Sequence, residues 1–517
     1  MGCQMKSYKS FVFLSLVACL VLNSCSGLPK GNGCGGCGST ANVSFVMVAD
    51  TPPSTLGLIS FKVVPTSIVL TPSTGTATTF ELNGQTGFSF DLVRLQSDSA
   101  FLGTATKVPT GTYSSIAVSL FSAELTFFNG TGVALTNPVC AAGAVCTASF
   151  TGPFTSTITT SQTISGNAGL GIDLNLSNAI TITGTTLTLS LANSSGTTVA
   201  SDFTLPRANS NLASGQLDII EDFTGIATVS GSTVTIKPAT LVNRAPVTAS
   251  TATSTNYDPD PTGALCSTGT TQLTSCVSNN QAASMDVILN SDGTFTVQEI
   301  EPLLASPVVD TVEGTVDSIA TNSATQFGVV VTDIIPAASG SLISSLSIGA
   351  PLSVNLATAP IFHVDTKGLS VANSFPASYG NFANATTTAA LQLGQSVAIH
   401  VKAFTVANGT TAAIADNVDT VTLRWSRFTA TPTGALSASL LNINTLPGYF
   451  GFGPSSVFGV EIFTGTPGAH GVTNLDGILN GSAPAATPAV GIRALYINNA
   501  ANTFSNQAFF AAKVRQH

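Results

Sequence analysis

Met285-Asp-Val-Ile-Leu-Asn-Ser-Asp-Gly-Thr-Phe-Thr-Val297 places two runs of β-branched and apolar residues on either side of Asp292-Gly293. Such a pair between such runs is a hairpin signal, because the turn needs positive φ and glycine takes it without a Cβ penalty. Gly225-Ile-Ala-Thr-Val-Ser-Gly-Ser-Thr-Val-Thr-Ile236 follows the same grammar of strand, glycine turn and strand. Towards the N-terminus lie Val43 to Val48, Ile59 to Leu70 with Pro65 as a bulge or edge marker, Phe80 to Leu82, Phe88 to Leu92 and Tyr113 to Phe128. Asn83-Gly84 and Asn129-Gly130 supply turns between them. Towards the C-terminus, Val312 to Ile319 opens a further unit, and Leu393 to Ile399 with Val421 to Phe428 closes it. A last unit ends in Gly491 to Ile497 and Ala508 to Val514. Helical periodicity is nearly absent, so the chain is expected to be all-β, with its N-terminal part a β-sandwich.

Composition bounds the function. The 517 residues suffice for three or four domains, and 44% are hydrophobic against 8% charged. Large cores are expected, with solubility resting on hydroxyl groups. Sixteen basic and 25 acidic residues give −9, and loss of Lys6 and Lys9 with a signal peptide would give −9 − 2 = −11. No Lys/Arg cluster offers nucleic acid a footprint.

Lys6 and Lys9 precede an apolar run, Phe11 to Leu22. Its 12 residues rise about 18 Å as a helix, short of the roughly 30 Å hydrocarbon core, so it reads as a signal peptide. The end, Leu22-Asn-Ser-Cys25, resembles the lipobox of bacterial lipoproteins. That resemblance implies a diacylglycerol thioether on Cys25, cleavage before it and an acylated new amine; Ser26 behind it implies the outer membrane. Leu16-Val-Ala-Cys19 is a second lipobox-like stretch, and ordinary secretory cleavage is the other alternative. Of nine cysteines, Cys3 and Cys19 leave with the signal and Cys25 takes the lipid. Proximity pairs the rest as disulfide candidates: Cys34 with Cys37, Cys140 with Cys146, Cys266 with Cys276.

Val43–Val48, then Ala49-Asp-Thr-Pro-Pro53, Asp91-Leu-Val93, Pro109-Thr-Gly-Thr-Tyr113 and Gly171-Ile-Asp-Leu-Asn-Leu176 together are similar to a lipoprotein domain of unknown function common in environmental bacteria. The likeness covers residues 41–207 and implies a transthyretin- or immunoglobulin-like sandwich. The first turn departs from that family's Thr-Asp-Ala-Pro. Further on, Gly314-Thr-Val316 followed by Leu393-Gly-Gln-Ser-Val397 is similar to small OB-like barrel domains of unknown function in secreted bacterial proteins. The expected plan is a signal at 1–25, a Gly-rich tether at 26–40, a sandwich at 41–210, and two or three barrel-like domains at 211–310, 311–432 and 433–517.

Candidates for chemistry are few. The four histidines, His363, His400, His470 and His517, lack metal spacing, and no G-x-S-x-G elbow is present. Cys34-Gly-Gly-Cys37 lacks the βαβ surroundings of a redox motif. Asp258 and Asp260 are the oxygen ligands from which a calcium site would start, without the downstream Glu of an EF-hand loop. Asp50 reads as a turn residue. One Trp and six Tyr against 29 Phe favour core over sugar platforms, and Trp425 could face either core or solvent. The expectation is a non-enzymatic, cofactor-free lipoprotein on the membrane, structural, adhesive or partner-binding. Envelope proteins and polysaccharide are its candidate partners, and carbohydrate binding is the alternative reading. A hydrolase would need carboxylates clustered in a deep cleft.

Overall fold

Along the strand Gly57–Pro72, buried and half-buried positions alternate from Phe61 until Thr66 and Ser67, which are both half-buried. The slip follows Pro65, where the register against Gly111–Phe128 shifts twice. Proline has no N–H for the ladder, so a bulge takes up one residue and returns Ile68 and Leu70 to the inner face. In the computed structural model, residues 39–516 are described except 50–55, 83–88, 175, 177–178, 192–199, 205–215, 219–221, 239–245, 259–265, 267–269, 304–308, 338, 366–380, 410, 433–439, 445, 451–457, 463–473, 477–489 and 498–506. Thr40–His517 clusters as one unit. Cys25, Cys34, Cys37, Asp50, Asn83-Gly84, Asp260, His470 and His517 lie outside the described residues.

The first domain is a β-sandwich. One sheet orders Thr78–Glu81, Gly57–Pro72, Gly111–Phe128 and Val145–Ile164, with Phe90–Asp91 also on Gly57–Pro72. The other orders Ala200–Thr204, Ala168–Leu174, Thr40–Ala49 and Ala100–Pro109. Phe45, Phe61, Phe127 and Tyr113 fill the space between them. The Pro-x-Gly-x-Tyr hairpin works as a corner: Tyr113 is buried and its hydroxyl donates to the Pro109 carbonyl at 2.5 Å.

Three closed five-stranded barrels follow. Phe223–Ser230, Thr233–Lys237, Val247–Tyr257, Ala282–Asn290 and Phe295–Pro302 form the first. Thr311–Ile319, Gln326–Ile335, Pro351–Val364, Ser396–His400 and Ala413–Arg424 form the second. Ser426–Pro432, Leu440–Asn444, Phe458–Ile462, Val490–Tyr496 and Gln507–Gln516 form the third. Each has strand order 1-2-3-5-4 with strand 4 returning to strand 1, and in each strands 3 and 5 run parallel. This is the OB-like barrel, repeated three times.

Gly225–Ile236 and Met285–Val297, both expected within 211–310, belong to one barrel, as strands 1–2 and 4–5. One segment sits otherwise than its pattern implied. Val421–Phe428 is divided: Arg424 ends the second barrel, Ser426 begins the third, and Trp425 alone separates them. The domain boundary expected after residue 432 therefore lies at 425. No Gly or Pro punctuates that stretch, so two strands read as one.

The local cysteine pairs in the described residues are bonded, Cys140 to Cys146 and Cys266 to Cys276. Cys140–Cys146 closes a loop that Asn129 also holds, its Nδ2 donating to the carbonyls of Val133, Cys140 and Ala141. The double change Cys140→Ala, Cys146→Ala should cost about 2 kcal/mol, the loop-closure entropy of so short a ring. Denaturant unfolding measures it, and a loss above about 4 kcal/mol would mean that the bond supports the domain and not just its loop.

Candidate functional site

The charged residues that interrupt apolar strands converge where the four domains meet. Asp91 opens the first element. It is buried, and its Oδ1 accepts from the Phe61 and Val93 amides at 2.8 and 2.9 Å, fixing the turn that leads into Arg94–Gln96. Burial raises the Asp91 pKa above the usual carboxylate value, against the pull of those amides. The turn presents Arg94 and Asp98 to the barrels. Arg94 Nη1 lies 2.9 Å from Asp333 Oδ2 in the second barrel. Arg427, on the first strand of the third barrel, reaches Asp98 Oδ2 at 2.6 Å and Asp222 Oδ2 at 2.5 Å.

Asp222 is the hub. It immediately precedes the first barrel and holds a φ of 50°. Its amide donates to Asp286 Oδ1 at 2.8 Å, and its own carboxylate takes Arg427, Arg493 at 2.7 Å and Arg424 at 4.0 Å. Arg424 pairs also with Asp365 and, at 3.9 Å, with Glu301. Arg427 Nη1 lies 3.8 Å from Glu313. Four of the chain's seven arginines (94, 424, 427 and 493 of 94, 207, 244, 424, 427, 493 and 515) thus meet six carboxylates in the interior. Burial alone would lower the Arg94 pKa. Glu313, Asp333, Asp98 and Asp222 outweigh it and raise the value, so the guanidinium stays charged.

Trp425 is core, 1% exposed, with the Arg493 guanidinium 5.2 Å over its ring. Alternation along Leu423–Arg427 accounts for it: Leu423 and Trp425 enter the second barrel's core while Arg424 turns to the carboxylates. A cavity of about 20 Å³ beside Arg94, Trp425 and Arg427 has room for one water-sized molecule and none for a substrate. The carboxylates are clustered, then, but set against arginines, and the cavity beside them is too small for a substrate. Their arrangement clamps domains together.

A wider space lies between the sandwich and the first barrel, a cleft of about 720 Å³. Phe101 and Phe295 floor it with ring centroids 5.0 Å apart, edge to face, and Phe80 flanks them. Thr104 comes from the sandwich wall, and Thr248 and Ser250 from strand 3 of the barrel. Among the described residues, Glu81 is the one charged residue of its lining.

The remaining sequence candidates scatter. Asp258 is buried, its Oδ1 accepting from Asn256 Nδ2 at 3.0 Å, and its amide donates to the Ile300 carbonyl. Among the described residues no group of three or more His, Cys, Asp or Glu could hold a metal ion. No described helix is long and apolar enough to cross a membrane. His400 Nδ1 lies 3.6 Å from Asp419 Oδ1. Burial pushes the ring's pKa down to about 4; Asp419 opposes the fall, while Lys402 and His363 add to it. Because the native value lies below the ordinary 6.5, the neutral ring's contribution to stability is intact above pH 6.5 and is lost as pH falls through about 4. A proton NMR titration should put the His400 midpoint near 4, and a midpoint near 6.5 would mean a solvated ring.

Comparison with known proteins adds little. No family model matches the chain, and no curated protein matches it. Among solved structures, an adhesin described as Ca²⁺-stabilized, helping an Antarctic bacterium reach out and bind ice, aligns at 10% identity over 93% of this chain and 99% of its own. Its TM-score is 0.07, too slight to speak to fold or function.

Proposed function

We propose that the chain is an exported, lipid-anchored envelope protein that scaffolds or binds partners without catalysing a reaction. The observation that carries this reading is the fate of its charged side chains. In a chain with so few, the arginines and carboxylates best placed to act together are spent clamping a sandwich to three barrels. The two disulfides suit an oxidising compartment. The lipobox-like Leu22–Cys25 supplies the anchor, with an outer-membrane destination implied by Ser26. Metabolic labelling with a fatty acid tests it: the full chain should take up label and Cys25→Ala should lose it. Label that persists would move the anchor to Cys19, and an unlabelled parent chain would remove it. The cleft beside the first barrel favours a second reading, in which the partner is a polysaccharide.

A further inference from the structure

We infer that the cleft between the sandwich and the first barrel binds a short neutral oligosaccharide. The inference rests on the second reading above and gives it a site and a ligand class. Its volume, about 720 Å³, lies within the range of clefts that enclose a small organic ligand. Among the described residues no Lys, Arg or His lines it, while Glu81 stands at the wall and repels phosphate, uronate and other anions. A purely apolar ligand is disfavoured in turn by the hydroxyls of Thr104, Thr248 and Ser250, all on exposed residues along the two walls. A hexose chain fits both conditions. Its C–H face can lie on the half-buried ring of Phe80 above that floor while its hydroxyls exchange hydrogen bonds with the Thr and Ser walls.

The floor also explains how the cleft keeps its shape. Phe101 comes from the sandwich and Phe295 from strand 5 of the barrel, and both pack into one shared core with Val46 and Leu289. Gly293, with φ +80°, brings the barrel's hairpin so close that an added Cβ would stand 2.7 Å from the Ala168 carbonyl oxygen. Ser44 Oγ donates to the Gly293 carbonyl at 2.7 Å. The two walls are therefore held at a fixed separation before any ligand arrives, which lowers the cost of binding.

The test titrates the full chain, in detergent, with neutral gluco-, manno- and N-acetylglucosamine trisaccharides and with an oligouronate of equal length. At least one neutral sugar should bind with Kd below about 1 mM, and the oligouronate at least about 10-fold more weakly. Ser250→Trp fills the cleft from an exposed position and should weaken the neutral sugar at least about 10-fold with an unchanged melting temperature. Thr104→Trp does the same from the opposite wall, should Ser250→Trp fail to fold. No binding by the parent chain overturns the polysaccharide reading itself. Binding that survives both tryptophans overturns the cleft and leaves that reading standing. Equal binding of the oligouronate overturns the neutral ligand class.

Discussion

Asp222→Asn is expected to cost about 3–5 kcal/mol of unfolding free energy, because it leaves buried guanidinium groups without their shared countercharge. Arg427 and Arg493 stand 2.5 and 2.7 Å from the carboxylate, with Arg424 at 4.0 Å. Asparagine keeps the shape of the side chain and accepts the positive φ of 50°, so backbone strain is not what the change measures. The control is Lys62→Met. Lys62 pairs with Glu124 at 2.9 Å, but the two side chains are 19% and 32% exposed. A pair that wet contributes about 0–1 kcal/mol. Denaturant unfolding compares the two variants. Because Asp222 joins arginines on the second and third barrels, its loss should also split one transition into several. Equal, small costs for Asp222→Asn and Lys62→Met would mean that core packing alone joins the domains.

The alternating strands, the glycine turns and the local disulfides were legible because each is written in contiguous residues. Asp292-Gly293 turns the chain as its dipeptide implies, with Asp292 Oδ1 accepting from the Thr294 amide and hydroxyl. Pro65 marks a bulge for the same local reason. The clamp was not legible, since Arg427 finds Asp98 across 329 residues and Arg493 finds Asp222 across 271. A signal for it did exist. Arg424, Arg427 and Arg493 sit inside apolar strands, as do Glu299 and Glu301, and a charge at such a position is seldom tolerated unless paired. In a chain only 8% charged, those few interruptions were the places to look. The junction at Trp425 was hidden by the opposite cause, two strands of the same pattern abutting without punctuation.

Gly394 decides how the third barrel sits on the second. Its φ is +87°, and a Cβ there would land on the ring of Phe450. That ring cannot move aside cheaply: Tyr449, Phe428, Tyr496 and Phe509 surround it at centroid distances of 4.8, 5.2, 5.2 and 5.7 Å. Flanking hydrogen bonds fix the same approach, Ser426 Oγ donating to the Gly394 carbonyl and Gln395 Nε2 to the Tyr496 carbonyl, each at 2.9 Å. Gly394→Ala should therefore cost about 2–5 kcal/mol, left-handed strain of about 1–2 plus overpacking of about 1–3. Gly409 separates the two contributions. It has φ +59° with nothing within 4 Å of an added Cβ, so Gly409→Ala should show the strain alone. Limited proteolysis gives the location, with Gly394→Ala opening sites in the third barrel that Gly409→Ala leaves closed. If the two alanines cost the same and cut alike, the Gly394–Phe450 contact is not what seats that barrel, and the burden passes to Arg427 and Arg493. The clamp and the glycine are thus separable supports of one junction: the first fails by uncompensated charge and the second by volume.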